Sequence, residues 1–269
     1  MTIRTALAQG TDLLGSRLTA EVLLGHATGR DRVWFYAHPE RELREVEWLH
    51  YGRYLHERLK GKPTQYITKR QEFYGRDFRV TPDVLIPRPE TELLVEIVLK
   101  SGHGAGAVII DAGTGSGAIA VTLALESKAC VIAADISRAA LSVAAANAQN
   151  LGAMLHLVEA DLLEPFAEAS AGVIVSNPPY ISETDRATLQ TEVRDWEPSL
   201  ALFAGDSGTA IYRRLIPQAY RVLKPGGLLA LEIGYGQAAA VTVMAHGWKS
   251  LQVYPDLAGI PRVLVCNKP

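Results

Sequence analysis

Apolar residues in the first 60 or so positions recur with the period of an α-helix. Turn-forming residues interrupt the pattern at Gly15, Gly29 and Pro39, and a further helix is expected over residues 41–59. Because no continuous β-rich run occurs there, the pattern predicts a small helical domain. The apolar positions that define the first helices are Leu7, Leu13, Leu14, Leu18, Val22, Leu23 and Leu24.

A short alternating segment separates this region from the rest of the chain. Residues 73–80 alternate apolar and polar side chains around Gly75, which predicts a β-hairpin. We therefore expect a helical domain at residues 1–72, a hairpin linker at 73–88 and a larger domain at 89–269.

From residue 107 onward, short β-branched runs alternate with helical segments. This alternation predicts an α/β fold whose parallel sheet is covered by helices on both faces. The last two apolar runs, 251–254 and 263–266, are joined by a loop too short for a crossover helix, so they are expected to be antiparallel neighbours. The other strands are expected at 108–110, 131–134, 155–158, 173–175 and 228–233, with helices ending at 124 and spanning 137–150 and 208–223.

The charge balance narrows the possible partners only slightly. The 269 residues carry 27 basic and 29 acidic side chains, for a net charge of −2, and 48% of them are hydrophobic. This balance argues against bulk nucleic acid phosphate or an anionic membrane as the main partner. One stretch, residues 60–88, has a local basic excess, which we interpret as solvated surface.

Cysteine content and the absence of a long apolar run favour a cytoplasmic protein. Cys130 and Cys266 both lie in apolar runs and are expected to be reduced core thiols. No apolar run approaches the roughly 18 residues needed to span a bilayer, and the first residues lack the apolar core of a signal peptide. The seven histidines show no metal-ligand spacing, so no metal is expected.

Candidate ligand-binding residues follow each predicted strand, where ligands bind in doubly wound sheets. A glycine-rich loop occupies 111–117, and it lacks the Lys-Ser or Lys-Thr ending of a phosphate-binding P-loop. Asp135 follows the second strand at the distance where a carboxylate accepts hydrogen bonds from ribose. Asp161 and Leu162 follow the third strand, so we expect a single adenosine moiety, with its adenine against Leu162 near Asp161.

The tetrapeptide Asn177-Pro178-Pro179-Tyr180 after the fourth strand is the strongest chemical signal. The proline pair restricts the backbone and fixes the directions of the Asn177 carboxamide oxygen and the Pro178 carbonyl. Two acceptors held side by side suit a planar amine or amide that carries two N–H donors. The ring of Tyr180 can add an aromatic wall.

Four segments together closely resemble the release factor glutamine methyltransferases, the HemK/PrmC family, and the resemblance covers nearly the whole chain. The segments are the loop at 111–117, Asn-Pro-Pro-Tyr at 177–180, Ile-Pro-Arg-Pro-Glu-Thr-Glu at 86–92 and Glu-Val-Arg-Asp-Trp-Glu-Pro at 192–198. Two positions depart from the family pattern. Ala112 stands where a larger apolar residue is common, and Leu162 where an aromatic residue often covers the adenine; both bear on ligand affinity.

The resemblance implies a class I, Rossmann-like methyltransferase sheet with an antiparallel last strand. It implies transfer of a methyl group from S-adenosylmethionine, giving S-adenosylhomocysteine, to the side-chain amide of the glutamine in the Gly-Gly-Gln motif of peptide-chain release factors. The helical domain would dock that protein, and neither a membrane nor direct nucleic acid contact is expected. The implied residues are Asn177 and Pro178 for catalysis; Asn177, Pro178, Pro179 and Tyr180 for substrate; and Gly113, Thr114, Gly115, Ser116, Gly117, Asp135, Leu162 and Asn177 for the cofactor.

Several alternatives stay open at this point. The same chemistry could act on a glutamine of a ribosomal protein, and Asn-Pro-Pro-Tyr is shared with methyltransferases that act on the amino group of adenine in nucleic acid. A cofactor-binding protein without activity is a third alternative. Contact of Arg88, Glu90 and Glu92 with substrate or cofactor is left open, and Glu232 could face either the cleft or solvent.

Overall fold

The computed structural model describes residues 1–103 and 106–269, and the chain divides into two compact units. The first unit consists of residues 1–70 together with 190–196, and the second of 71–189 and 197–269. The return of 190–196 to the first unit has no counterpart in the division expected from the sequence. The docking role expected for residues 1–72 stays a prediction.

Helices build the first unit around a small apolar core. Its helices are α1 (Ile3–Leu14), α2 (Arg17–Thr28), α3 (Arg32–Ala37), α4 (Glu45–Leu59), α5 (Thr64–Thr68) and, from the returning segment, α9 (Thr191–Trp196). As predicted, Gly15 and Gly29 end α1 and α2 in the left-handed conformation that glycine tolerates best. Leu7, Leu23 and Leu24 are buried, whereas Leu13 and Leu18 are about half exposed.

The predicted hairpin is present at the start of the second unit. Strands β1 (Arg70–Phe73) and β2 (Arg76–Arg79) are joined at Tyr74 and Gly75, which have φ values of 52° and 69°. Positive φ at both central residues is the conformation of a type I′ turn, whose twist matches that of paired strands.

A seven-stranded sheet forms the centre of the second unit. The strands are β3 (Val108–Ala112), β4 (Cys130–Asp135), β5 (His156–Glu159), β6 (Ala171–Ser176), β7 (Leu223–Glu232), β8 (Lys249–Pro255) and β9 (Pro261–Asn267). Their order in the sheet is β5-β4-β3-β6-β7-β9-β8. Strands β3 to β7 are parallel, and β9 runs antiparallel to both β7 and β8. The predicted α/β fold with an antiparallel last strand is therefore confirmed.

Helices cover both faces of this sheet. The helices of this unit are α6 (Thr91–Lys100), α7 (Ala118–Glu126), α8 (Arg138–Leu151), α10 (Ser199–Leu202), α11 (Ala210–Val222) and α12 (Ala238–Met244), with a 3₁₀ helix at Glu183–Thr188. Alternate strand residues enter opposite apolar clusters, so Ile109 packs with α6 and α7 while its neighbour Ile110 packs with α11 and α12.

Two details differ from the sequence-based expectations. Strand β7 begins at Leu223 rather than at 228, because Leu223 already pairs with Ala171 on β6. The next pair is Val173 with Leu228, so the register shifts between the two pairs. Cys130 is exposed at the start of β4, so its expected burial is wrong, whereas Cys266 is buried as predicted. Across residues 1–103 and 106–269, no helix is both long and apolar enough to cross a membrane.

Candidate active site

The glycine-rich loop connects β3 to α7 at the carboxyl edge of the sheet. Gly113 and Gly115 have φ values of 77° and 55°, and a Cβ at either position would meet nothing within 4 Å. Gly117 differs, because a Cβ there would lie 3.0 Å from the Cβ of Ala144 on α8. The first two glycines therefore leave open space beside the loop, and the third permits close packing of α7 against α8.

Asp111, at the end of β3, is a fully buried carboxyl group beneath this loop. Its Oδ2 accepts a hydrogen bond of 2.6 Å from the Thr114 hydroxyl, and within the described residues its Oδ1 has no donor. Burial raises the pKa of Asp111 to about 7; the Thr114 hydrogen bond opposes the rise and the negative charge of Asp135 adds to it. Asp111 is buried, so it contacts the loop from beneath, through Thr114.

Asp135, at the end of β4, holds the glycine loop in place. Its Oδ2 accepts from the backbone N–H of Gly115 and its Oδ1 from that of Ser137, both at 2.9 Å. Burial raises the pKa of this carboxyl, while these backbone donors oppose the rise. Each oxygen keeps a second lone pair, so the carboxylate can still accept a ligand hydroxyl.

Leu162 and Asp161 form the next part of the edge, after β5. Leu162 adopts φ of 54°, a left-handed conformation that costs a branched side chain on the order of 1–2 kcal/mol. Asp161 pairs at 2.8 Å with Arg214 on α11. Both residues line the cavity beside the glycine loop, and the ion pair holds Asp161 next to the strained Leu162 backbone.

Asn177 directly follows β6, and its side chain has a defined orientation. Its Nδ2 donates to the Thr91 hydroxyl at 3.1 Å. Within the described residues no donor contacts either the Asn177 Oδ1 or the Pro178 carbonyl oxygen. The two acceptors singled out in the sequence are thus both without an internal partner.

Tyr180 is held by groups behind the Asn-Pro-Pro-Tyr turn. Its hydroxyl donates to Glu232 Oε1 at 3.4 Å, and its carbonyl accepts from Gln237 Nε2 at 2.8 Å. Glu232 is 1% exposed, so the solvent-facing alternative for this residue is wrong. Burial raises the pKa of Glu232 to about 6, against the hydrogen bond from Thr91 and the positive charge of Arg262.

Two of the family-like segments meet through an ion pair. Glu197, which is 5% exposed, accepts from Arg88 at 2.5 Å and from the backbone N–H of Ile86 at 3.4 Å. Burial raises the pKa of Glu197, and the charge and hydrogen bond of Arg88 oppose that rise. Arg88 lines the cavity, Glu92 instead accepts from the backbone of Tyr74, and Glu90 is exposed.

These loops enclose a cavity of about 240 Å³, a concave site of the kind that binds a small molecule. Thr91, Ile136 and Arg214 also line it, although the sequence predicts no role for any of them. Thr91 lies within a quoted motif and Ile136 follows Asp135, but Arg214 has no local signal. Of the residues expected at the site, the cavity is lined by Gly113, Thr114, Gly115, Ser116, Asp135, Leu162, Asn177 and Pro179, whereas Gly117, Pro178 and Tyr180 lie outside its lining.

Among the residues that the structure describes, no group of three or more His, Cys, Asp or Glu side chains could hold a metal ion.

Comparison with solved structures shows the fold. A methyltransferase from Pyrococcus furiosus is 19% identical with a TM-score of 0.54, over 76% of this chain and 93% of that one. The 16S rRNA N2 G1207 methyltransferase of Thermus thermophilus, solved with AdoMet and guanosine, is 20% identical with a TM-score of 0.55, over 74% of this chain and 50% of that one. A family model described as the methyltransferase small domain matches residues 89–194. The protein is therefore a methyltransferase with a Rossmann-like sheet.

Sequence comparison is more specific. A family model described as the PrmC N-terminal domain matches residues 5–68. The release factor glutamine methyltransferase of Koribacter versatilis is 46% identical over 97% of this chain and 94% of its own length, and that of Moorella thermoacetica is 44% identical over 100% and 99%. The chain belongs to the release factor glutamine methyltransferase family, which confirms the resemblance drawn from its motifs.

Proposed function

We propose that this enzyme transfers a methyl group from S-adenosylmethionine to the side-chain amide nitrogen of the glutamine in the Gly-Gly-Gln motif of peptide-chain release factors. The orientation of Asn177 carries the proposal. Its amide nitrogen is engaged by Thr91, which leaves Oδ1 as an acceptor for a substrate N–H. The Pro178 carbonyl supplies the second acceptor that a primary amide requires.

The glycine loop and its neighbours fit S-adenosylmethionine. Gly113, Gly115 and Ser116 would lie along the cofactor, Asp135 would accept from its ribose and Leu162 would contact its adenine. When bound, the cofactor supplies an electrophilic methyl group on a sulfonium.

The chain's own contribution to the reaction is positioning and electrostatic stabilisation. An amide nitrogen is a poor nucleophile because its lone pair is delocalised into the carbonyl. Acceptance of its two hydrogens by Asn177 and Pro178 aims the nitrogen at the methyl carbon and favours the positive charge that develops there. Transfer would form a nitrogen–carbon bond as the carbon–sulfur bond breaks. The nitrogen would become acidic only once it is methylated and would then release one proton to solvent, so no base is needed before transfer.

Ion pairing within the chain supports a protein substrate over nucleic acid. In the locally basic stretch 60–88, three side chains pair with carboxylates: Lys62 with Glu57, Arg76 with Glu126 and Arg88 with Glu197. These pairs reduce the positive charge available to phosphates. The proposed substrate also implies activity in the cytoplasm, in agreement with the expectation from the sequence.

The first unit is the proposed docking surface for the release factor. It comprises less than a third of the chain, yet it carries nine of the 17 large apolar side chains that are exposed among the described residues. Val33 and Leu49, at 76% and 69% exposure, are the most accessible of these. This uneven share of exposed apolar side chains supports the docking role, because apolar surface left exposed is available to a protein partner.

The proposal is tested with methyl-labelled S-adenosylmethionine and three separate acceptors: purified release factor, ribosomal protein and nucleic acid. We expect label only in the release factor, on the glutamine of Gly-Gly-Gln, as located by peptide mass spectrometry. Label that appears only in nucleic acid or ribosomal protein would overturn the substrate assignment.

A single substitution tests the role of Asn177. Asn177→Ala should lower kcat far more than it weakens cofactor binding, which is measured by calorimetric titration. Undiminished turnover together with unchanged cofactor affinity in this variant would contradict the proposed role.

A further inference from the structure

A buried chain of hydrogen bonds runs from the Asn177 side chain to a carboxylate behind it. Asn177 Nδ2 lies 3.1 Å from Thr91 Oγ1, and Thr91 Oγ1 lies 2.6 Å from Glu232 Oε2. The hydroxyl of Tyr180 completes the chain at Glu232 Oε1, 3.4 Å away. Thr91 is the first residue of α6 and Glu232 the last of β7, and their exposed fractions are only 4% and 1%.

The direction of these bonds follows from the number of hydrogens available. A threonine hydroxyl has one hydrogen, and an ionised carboxylate can only accept. Thr91 therefore donates to Glu232, and its oxygen is left to accept from Asn177. The Asn177 group that faces Thr91 must then be the NH₂, which turns Oδ1 away from Thr91.

This direction matters because a carboxamide can rotate by half a turn with little change in shape. If the Asn177 NH₂ faced the substrate, two donor groups would oppose each other and neither N–H would have an acceptor. The tetrapeptide backbone fixes where the Asn177 side chain lies, but it does not distinguish the oxygen from the nitrogen. A group outside the tetrapeptide has to make that distinction.

We propose that Thr91 and Glu232 are positioning residues that fix the rotation of the Asn177 carboxamide, so that its oxygen faces the substrate nitrogen. The inference rests on the proposed methyl transfer and deepens it. Neither residue takes or gives a proton in the reaction. The Glu232 carboxylate accepts the hydrogen of the Thr91 hydroxyl, so the hydroxyl oxygen must accept from the Asn177 amide that binds the substrate.

The surroundings of Glu232 make this relay sensitive to pH. Arg262 on β9 favours the carboxylate, although it is paired with Asp256 at 3.2 Å, whereas burial and the charge of Glu90 oppose ionisation. The Tyr180 hydroxyl donates to the carboxylate, whereas the Tyr212 hydroxyl donates to the backbone carbonyl of Glu232, at 3.0 Å. With the pKa of Glu232 near 6, protonation in mild acid gives the carboxyl a hydrogen to donate, and the direction of the relay can reverse.

The test uses the full chain, methyl-labelled S-adenosylmethionine and purified release factor, with kcat measured from about pH 5 to 8. In the wild-type enzyme kcat should fall as the pH drops through about 6. Thr91→Val keeps the shape but removes the hydroxyl, so kcat at pH 8 should fall by about 10- to 100-fold. The fall below pH 6 should also disappear, because the charge of Glu232 no longer reaches Asn177.

Two further variants serve as controls. Thr91→Ser keeps the hydroxyl and should retain most of the wild-type kcat together with the acid fall. Glu232→Gln has no titratable group there and should lose the acid fall, which keeps the test decisive if Thr91→Val does not fold. Cofactor affinity, measured by calorimetry, should be similar in all four proteins.

Specific results would overturn the relay. Each of four results would contradict it. Two concern kcat: Thr91→Val could be as fast as the wild type, or Thr91→Ser as slow as Thr91→Val. The other two concern pH: the wild-type profile could be flat, or the acid fall could persist in Thr91→Val or Glu232→Gln. These outcomes are distinct from failure of the proposed substrate. If the wild-type enzyme methylated a different amine with the same dependence on Thr91, the substrate assignment would fail and the relay would stand.

Discussion

Asn147 on α8 connects the hairpin to the glycine loop, and its removal should loosen both. The side chain is 1% exposed and makes three hydrogen bonds. Its Nδ2 donates to the carbonyls of Arg79, at 2.9 Å, and Ser116, at 2.8 Å, and its Oδ1 accepts from the Arg79 N–H at 2.7 Å. In Asn147→Ala all three backbone groups lose their partner.

The expected cost follows from the solvent access of these groups. A net contribution of about 1 kcal/mol for each hydrogen bond gives about 3 kcal/mol. Residue Arg79 is exposed, so water can replace part of its loss, whereas Ser116 is 3% exposed and its carbonyl stays without a donor. We therefore expect a decrease of about 2–3 kcal/mol in the unfolding free energy of the second unit.

The assay is native-state hydrogen exchange at the amides of β4, which reports on the second unit separately from the first. Asn150→Ala is the matched control, because it removes the same side chain from an exposed position of the same helix. It should change the unfolding free energy by less than about 0.5 kcal/mol. Equal values for the two variants would refute the reasoning.

Two further predictions concern the first unit. Burial opposes ionisation of Glu47, but hydrogen bonds from Arg41 and Arg44 lower its pKa to about 2, below the ordinary 4.5. The stabilisation by ionised Glu47 is therefore present above about pH 4.5 and is lost as the pH falls toward 2. Glu47→Gln should lower the unfolding free energy by about 2–3 kcal/mol at pH 7 and by little at pH 2. The fluorescence of Trp34 and Trp48 follows the unfolding, and an equal cost at both pH values would contradict this prediction. Leu49→Asp should raise KM for whole release factor but not for a short Gly-Gly-Gln peptide. Leu257→Asp, the same change at an exposed leucine of the second unit, should alter neither KM. A rise in KM for both protein and peptide in Leu49→Asp would refute the docking role.

The pattern of apolar residues is sufficient to predict the centre of the sheet because strands such as β3 and β6 are buried on both faces. Runs such as 108–110 and 173–175 have no polar side to obscure them, and the short final loop predicted the antiparallel end. The start of strand β7 is harder to predict from the sequence. Residues 224–227 are Lys-Pro-Gly-Gly, a typical turn sequence, yet Leu223 before them already pairs with Ala171. Only the neighbouring strand reveals that pairing.

Cys130 shows the limit of reading burial from composition. It begins an apolar run, but strand ends lie at the edge of the sheet, where the first residue can face solvent. The segment 190–196 shows a related limit, since its place in the first unit depends on distant contacts such as the ion pair between Arg58 and Glu192. Local sequence carries no signal for either fact.

Some residues of the site can be predicted from local sequence, and others depend on contacts between distant segments. Asn177, Asp135 and the glycines follow strands directly, so the topology of the sheet is enough to bring them together. Thr91 and Glu232 are separated by 141 positions, and neither residue type signals a role by itself. Their connection to Asn177 exists only because the start of α6 meets the ends of β6 and β7 at the same edge of the sheet. The tetrapeptide supplies the acceptor group, and residues far away in sequence determine which of its two ends meets the substrate.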